Sequence, residues 1–252
     1  MIHARDISKS YADAPILKNV SVQIPKGGLT AIIGANGTGK STLLSIISRL
    51  LPMDAGSVSV DGLDVTCSDS RELAQRLSIL RQDNHMTARI TVRDLVSFGR
   101  YPYSQGRLRQ ADQAHIDAAL GHMDLTDLQD RFLDQLSGGQ RQRAFAAMVL
   151  CQDTDYILLD EPLNNLDMKN ARTMMQSLSR MCRELGKTVV VVLHDINFAS
   201  WYCDNIIALK GGDICCTGPT EQIMTSDCLR QIYDMEIEIV ETGGKRTALY
   251  YG

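Results

Sequence analysis

The apolar residues of this chain change their period along its length. Residues 2–8, 20–24, 29–33 and 57–60 are short β-prone runs, separated by turn chemistry at Pro25, Gly27 and Gly28 and at Asp61 and Gly62, and they predict strands. Residues 43–51 are apolar at helical spacing. From about residue 84 to 152 the pattern turns helical, with runs at 91–99, 110–120 and 139–150 and no strand-like stretch between them. A strand–helix rhythm then returns. Residues 156–159 read as a short buried strand and 168–185 as a long helix closed by Gly186. Residues 188–193 are an uninterrupted β-branched run, the kind that a parallel sheet covered on both faces requires. A helix at 196–203, a strand at 205–209, and a tail of short strands and two short helices complete the pattern. The expectation is a single α/β domain over residues 1–252 with a helical subdomain inserted at about 84–152. No internal repeat or low-complexity linker interrupts it.

The junction between the strand at 29–33 and the helix that follows carries Gly34, Asn36, Gly37, Thr38, Gly39, Lys40, Ser41 and Thr42, reading GANGTGKST. This fits G-x-x-x-x-G-K-[ST] between a strand and a helix, the context a phosphate-wrapping loop needs. Glycines let successive backbone N–H groups turn toward an anion, and the helix N-terminus adds partial positive charge. Lys40 supplies a point charge for the β- and γ-phosphates and Ser41 a hydroxyl for Mg²⁺. The motif by itself implies nucleoside triphosphate binding.

About a hundred residues later, Leu136 to Gln140 read LSGGQ and open the helix at 139–150. Taken alone, Ser137, Gly138, Gly139 and Gln140 are a capped helix start. Placed between a phosphate loop and an acidic strand end, they form a second candidate anion site. That strand end is Asp160 and Glu161, after the apolar run 156–159. At the C-terminal edge of a parallel sheet Asp160 is suited to Mg²⁺ and Glu161 to polarising an attacking water. Asp167 closes a further turn, and His194 follows the strand at 188–193. Parallel topology is expected to put His194 on the same edge as Asp160 and Gly34.

Composition narrows the classes. With 252 residues, 44% hydrophobic and 22% charged, the chain is long enough for a sizeable core. The net charge of −4 argues against nucleic acid as the main partner and against purely electrostatic adhesion to anionic lipid. The N-terminus shows no apolar signal-peptide core, and no apolar run approaches the ~20 residues that span a bilayer, so a cytosolic protein is expected. The seven cysteines include no C-x-x-C pair and read as reduced thiols, several of them buried.

The ordered set GANGTGKST, Gln82, LSGGQ, YILLDEP, NNLD and His194 resembles the ATP-binding subunit of ATP-binding-cassette (ABC) transporters over essentially the whole chain, and LSGGQ makes the match specific. The resemblance implies a P-loop NTPase (RecA-like) core with an antiparallel β subdomain and an inserted helical signature subdomain, ATP and Mg²⁺ as ligands, and two chains sharing each ATP. It gives Tyr11 to adenine and Gly34, Asn36, Gly37, Thr38, Gly39, Lys40, Ser41 and Thr42 to the phosphates. It gives Ser41, Gln82 and Asp160 to Mg²⁺, Glu161 to general-base catalysis, and Lys40, Gln82 and His194 to supporting roles around the γ-phosphate. Ser137, Gly138, Gly139 and Gln140 reach the opposite subunit's ATP, and Asp167 crosses the dimer interface. The segment 98–103, FGRYPY, together with 161–168, resembles importers of ferric siderophores, with haem and cobalamin importers as relatives. In these, the region docks a short helix of an integral-membrane permease, and exposed Tyr and Arg suit such a contact. The implied protein is a homodimeric motor at the cytoplasmic face of the inner membrane, served indirectly by an external substrate-binding protein. The competing reading is a soluble ATPase scaffold of the iron–sulfur cluster assembly kind.

Overall fold

The computed structural model describes residues 1–12, 14–84, 86 and 88–250. Strands β1 (Ile2–Tyr11) and β2 (Ala14–Ile24) form an antiparallel hairpin. β3 (Gly28–Ile33) passes through the glycine-rich loop into α1 (Lys40–Ile47), and β4 (Ala55–Val60) and β5 (Leu63–Asp64) follow. Next come α2 (Ser70–Arg76), started by the Asp69 cap, β6 (Leu77–Leu80), α3 (Val92–Ser97), α4 (Tyr101–Ser104), α5 (Gln110–His122), α6 (Gly138–Cys151), β7 (Tyr156–Leu159) and α7 (Met168–Leu185). The chain ends with β8 (Thr188–Val192), α8 (Ile196–Tyr202), β9 (Asn205–Lys210), β10 (Asp213–Pro219), α9 (Thr220–Ile223), α10 (Ser226–Tyr233) and the hairpin of β11 (Glu238–Thr242) and β12 (Lys245–Leu249). These elements divide into two compact units, Met1–Ser68 with Thr188–Gly252, and Asp69–Lys187. Among the described residues no helix is long and apolar enough to cross a membrane.

In the first unit the antiparallel sheet runs β2-β1-β4-β5, with Ile2 facing Ile24 on one side and Val60 on the other. The hairpin is longer than the apolar pattern predicts. Asp6 and Asn19 adopt left-handed φ angles of 52° and 57°, and the register slips nearby. Each bulge shifts the in–out alternation by one residue, so the period-2 signal breaks while the strand continues. The second sheet of this unit is β10-β9-β3-β8. β3 is parallel to both neighbours, with Ile32 level with Val192 and Ile207. Val189 to Val192 are fully buried, as a parallel strand covered on both faces demands.

In the second unit β6 runs parallel to β7, pairing Leu77 with Tyr156 and Leu80 with Leu159. The helical stretch lies within this unit and packs α3, α5 and α6 on Val92, Leu95, Ile116, Leu120, Ala144 and Ala147, all buried. The FGRYPY segment is divided between packing and surface. A Cβ on Gly99 would stand 2.1 Å from the Met148 carbonyl oxygen of α6, so only glycine lets these backbones approach. Arg100 corrects the expectation of an exposed contact residue, because it is buried. Its Nε donates to Asp112 at 2.9 Å, its Nη1 to the Cys151 carbonyl at 3.0 Å, and its guanidinium lies 4.0 Å over the Tyr103 ring. Tyr101 and Phe98 remain exposed, at 65% and 49%, and are the members of the motif that a partner can reach.

The Arg109 N–H and the Arg100 guanidinium hold the Asp112 carboxyl below its ordinary value. A lowered native pKa stabilises the fold fully above about pH 4, the unfolded carboxylate value, and the contribution disappears as pH falls through the native one. Removing one partner of a buried pair costs about 3–5 kcal/mol. Asp112→Ala is therefore expected to lower stability by that order at pH 7, and denaturant melts should show the gap to the native protein closing in acid.

Candidate nucleotide site

The phosphate loop leaves the C-terminal end of β3. Gly34, Gly37 and Gly39 have φ angles of 142°, 77° and 97°, a left-handed region that L side chains rarely adopt. Two of them are also crowded, Gly34 by backbone and Gly39 by a side chain. A Cβ on Gly34 would sit 2.2 Å from the Leu209 carbonyl oxygen, and one on Gly39 2.6 Å from Leu17 Cδ2. The buried Lys40 donates from Nζ to the carbonyls of Gly34 and Ala35 at 2.9 Å each, and Thr38 Oγ1 donates to Ala35 at 2.9 Å. Asn36 and Gly37 stand exposed at the rim and Ser41 and Thr42 are half-buried in the first turn of α1. The loop is thus a glycine-rich turn braced by Lys40 at a helix N-terminus, a setting suited to an anion.

His194 leaves β8, the strand paired with β3, and the Leu193 N–H donates to Ile32 at 3.1 Å. The same sheet edge of this unit therefore presents Gly34 and the exposed His194. Asp195 caps α8 by accepting from the Asn197 N–H at 2.8 Å. Tyr11 ends β1 opposite Ala14 and is half exposed. Tyr233 of α10, which the sequence pattern did not single out, has a buried hydroxyl beside the Gly34 backbone. Burial, reinforced by the negative charge of Asp195, pushes its phenol up to about 12.

The second unit holds the acidic strand end. Asp160 is buried and its N–H donates to Leu80 of β6 at 2.9 Å. Because β6 and β7 are parallel and in register, the residues that follow them emerge side by side. Gln82 Nε2 donates to Glu161 Oε2 at 2.7 Å, so the structure brings these two predicted residues together. Glu161 has a left-handed φ of 49°, a conformation that costs a non-glycine residue about 1–3 kcal/mol and clusters at functional sites. Two further tight turns, Asn164 N–H to Glu161 and Leu166 N–H to Leu163, deliver Asp167 as the cap of α7.

The signature forms the start of α6. Gln140 N–H donates to Ser137 Oγ at 3.3 Å while Ser137 N–H donates to Gln140 Oε1 at 3.0 Å, a reciprocal capping box. Gly138 is exposed, with nothing beyond its chain neighbours and its own helix backbone within 4 Å of where a Cβ would stand. Gly139 is buried against Asn170 of α7.

A phosphate loop on this strand–helix junction, with an acidic strand end and a glycine-rich helix cap in the same chain, defines a P-loop nucleotide-binding protein. The ABC transporter family model matches residues 17–164, and the chain belongs to that family as an ATP-binding, ATP-hydrolysing subunit. It is 54% identical over 251 residues, 100% of both chains, to the petrobactin import ATP-binding protein YclP of Bacillus subtilis (strain 168). It is 50% identical over 241 residues, 96% of each chain, to the petrobactin import ATP-binding protein FatE of Bacillus anthracis. The dimeric post-hydrolysis structure of the ATP-binding cassette MJ0796, bound to ADP and Pi, superposes with a TM-score of 0.77 at 31% identity, covering 87% of this chain and 99% of that one.

Gly34→Ala combines a forbidden φ with a backbone collision. It is expected to destabilise the protein by about 1–3 kcal/mol from strain alone and to abolish high-affinity ATP binding. Thermal melting with and without ATP checks both, since a variant that still binds should still be stabilised by the ligand.

Proposed function

We propose that the chain is the motor subunit of an importer for a ferric siderophore, acting as a homodimer bound peripherally to an integral-membrane permease at the cytoplasmic face of the membrane, with an external substrate-binding protein delivering cargo. Petrobactin is the compound named for both of the relatives described above. The observation that carries the shared-site reading is the open flank of Gly138, which leaves room at a helix N-terminus for phosphates brought by a second chain. The soluble-scaffold reading is disfavoured by relatives that are import proteins over the whole chain length.

In this reading Tyr11 stacks on adenine, and the amides of Gly34 through Thr42, with Lys40, hold the β- and γ-phosphates. The partner's signature donors complete the enclosure, Asp167 crosses to the partner, and His194 steadies the γ-phosphate. The chain offers Mg²⁺ hard oxygen donors, as that ion prefers. These are the Ser41 hydroxyl, the Asp160 carboxylate and the Gln82 amide oxygen, the Gln82 Nε2 being engaged by Glu161. When bound, Mg²⁺ neutralises charge on the β- and γ-phosphate oxygens. Glu161 accepts a proton from water as the water oxygen bonds to the γ-phosphorus. The bond from that phosphorus to the β–γ bridging oxygen breaks, giving ADP and inorganic phosphate. Loss of the γ-phosphate removes the negative charge that both chains grip, so the dimer opens, and ATP biases closure only as far as it prefers the closed form.

Glu161→Gln keeps the shape and removes the base. Turnover is expected to fall by about 10²–10⁴-fold while ATP binding and ATP-dependent dimerisation persist, as measured by phosphate release and light scattering. Wild-type turnover would remove Glu161 from the mechanism. The transport assignment is checked by purification from detergent-solubilised membranes. A polytopic partner should accompany the chain, and a deletion strain should lose growth on ferric petrobactin.

A further inference from the structure

The geometry points to Asn170 as a positioning residue that locks Asp167 to the start of the signature helix, so that the two surfaces offered to the partner chain move as one body. The inference rests on the shared-site reading above and assigns a role to a residue that neither motif contains.

Asn170 stands at the third position of α7, whose cap is Asp167. Its backbone N–H donates to Asp167 Oδ1 at 2.7 Å, and its Nδ2 lies 3.0 Å from both Oδ1 and Oδ2. A helix cap needs only the first of these bonds. The side-chain amide adds a second grip, which engages both carboxylate oxygens and fixes the Asp167 rotamer. The same carboxamide lies flat against Gly139. A Cβ built on Gly139 would be 2.4 Å from Asn170 Cγ, 2.6 Å from Oδ1 and 2.8 Å from Nδ2. Asn170 shares the face of α7 that buries Met174, Leu178 and Met181, which sit four, eight and eleven residues on. Its backbone is therefore anchored by the core rather than by the loop it controls.

The two signature glycines consequently have different reasons to be glycine. Gly138 borders open space and Gly139 borders Asn170. Asn170 reads the position of α6 through Gly139 and transmits it to Asp167 through two hydrogen bonds, all inside one unit of the chain.

The test uses the full-length chain and five variants, with kcat and KM for ATP, thermal melting, and ATP-dependent dimerisation in a Glu161→Gln background. Asn170→Asp keeps size and shape, and near a helix N-terminus an added carboxylate favours the helix. A purely helix-capping role therefore predicts no loss. A positioning role predicts a fall in kcat and in dimer affinity of about ten- to a hundredfold, the scale of a small misplacement, with KM within about twofold and a melting temperature close to native. Asn170→Ala should show the same split. Gly139→Ala should be nearly inactive alone and recover at least tenfold when Asn170→Ala is added, because truncation makes room for the new methyl. Native kcat and dimerisation in Asn170→Asp would overturn the inference. So would a double variant no more active than Gly139→Ala, and Asn170→Asp decides alone should Gly139→Ala fail to fold. Gly138→Ala separates this from the underlying reading. If it dimerises and turns over normally, the partner-facing role of the signature is wrong. If it blocks dimerisation while Asn170→Asp does not, the role given to Asn170 alone falls.

Discussion

The phosphate loop is held in its left-handed turns by two strands that press on it from outside. Leu209 of β9 closes against Gly34, and Ile16 and Leu17 of β2 close against Gly39. The β9–β10 turn is tied to the same strand, with Lys18 N–H donating to the Gly212 carbonyl at 2.7 Å, and Gly212 itself has no room for a Cβ beside Ile16. The antiparallel hairpin is therefore more than an appendage that carries Tyr11. It is one wall of the cradle, and the central sheet is the other. An anion site made of backbone amides has little side-chain chemistry with which to correct its shape, so its affinity depends on how firmly those walls hold the loop.

The acidic strand end of the second unit shows the opposite case. The chain turns after β7 through a left-handed backbone at Glu161, which carries a carboxylate where glycine would be unstrained. Glu161 bears the strain, and the hydrogen bond from Gln82 holds its oxygen in place. That bond exists because β6 and β7 are parallel and in register, so two loops far apart in sequence leave the sheet together. Gln82 thereby ties the Glu161 carboxylate to the segment that follows β6.

Much of this was legible in the sequence, and the failures share a cause. β3, β7, β8, β9, α6 and α7 follow from apolar runs of the right length with recognisable starts and stops. The outer ends of β1 and β2 do not, because bulges at Asp6 and Asn19 break the alternation. β6 was missed since four residues are too few to show a period. The phosphate loop, the acidic strand end and the signature cap were readable because their chemistry is carried by residue type at fixed spacing. Asn170, Tyr233 and the Arg100–Asp112 pair were not, because their roles are set by which side chains the tertiary fold brings together. Arg100 was misread for that reason: an arginine in a tyrosine-rich segment looks like a surface contact until Asp112 and Cys151 close around it.

What a glycine would collide with separates a packing motif from a contact motif better than the motif's letters do. Gly34, Gly99 and Gly139 each meet their own chain, so internal packing accounts for them. Gly37 meets nothing but has a left-handed φ that accounts for it. Gly138 has neither excuse: it lacks a positive φ and has open space around it, at a helix start where alanine is the better helix former by about 1 kcal/mol. Gly121 in α5 is equally open, but it sits near a helix end with no donor cluster beside it. At Gly138 the helix N-terminus of α6, with its positive dipole end, makes close backbone approach useful to an anion from outside the chain. In the shared-site reading proposed above, the constraint that selects this glycine lies in the surface of a second copy, which the isolated subunit does not possess.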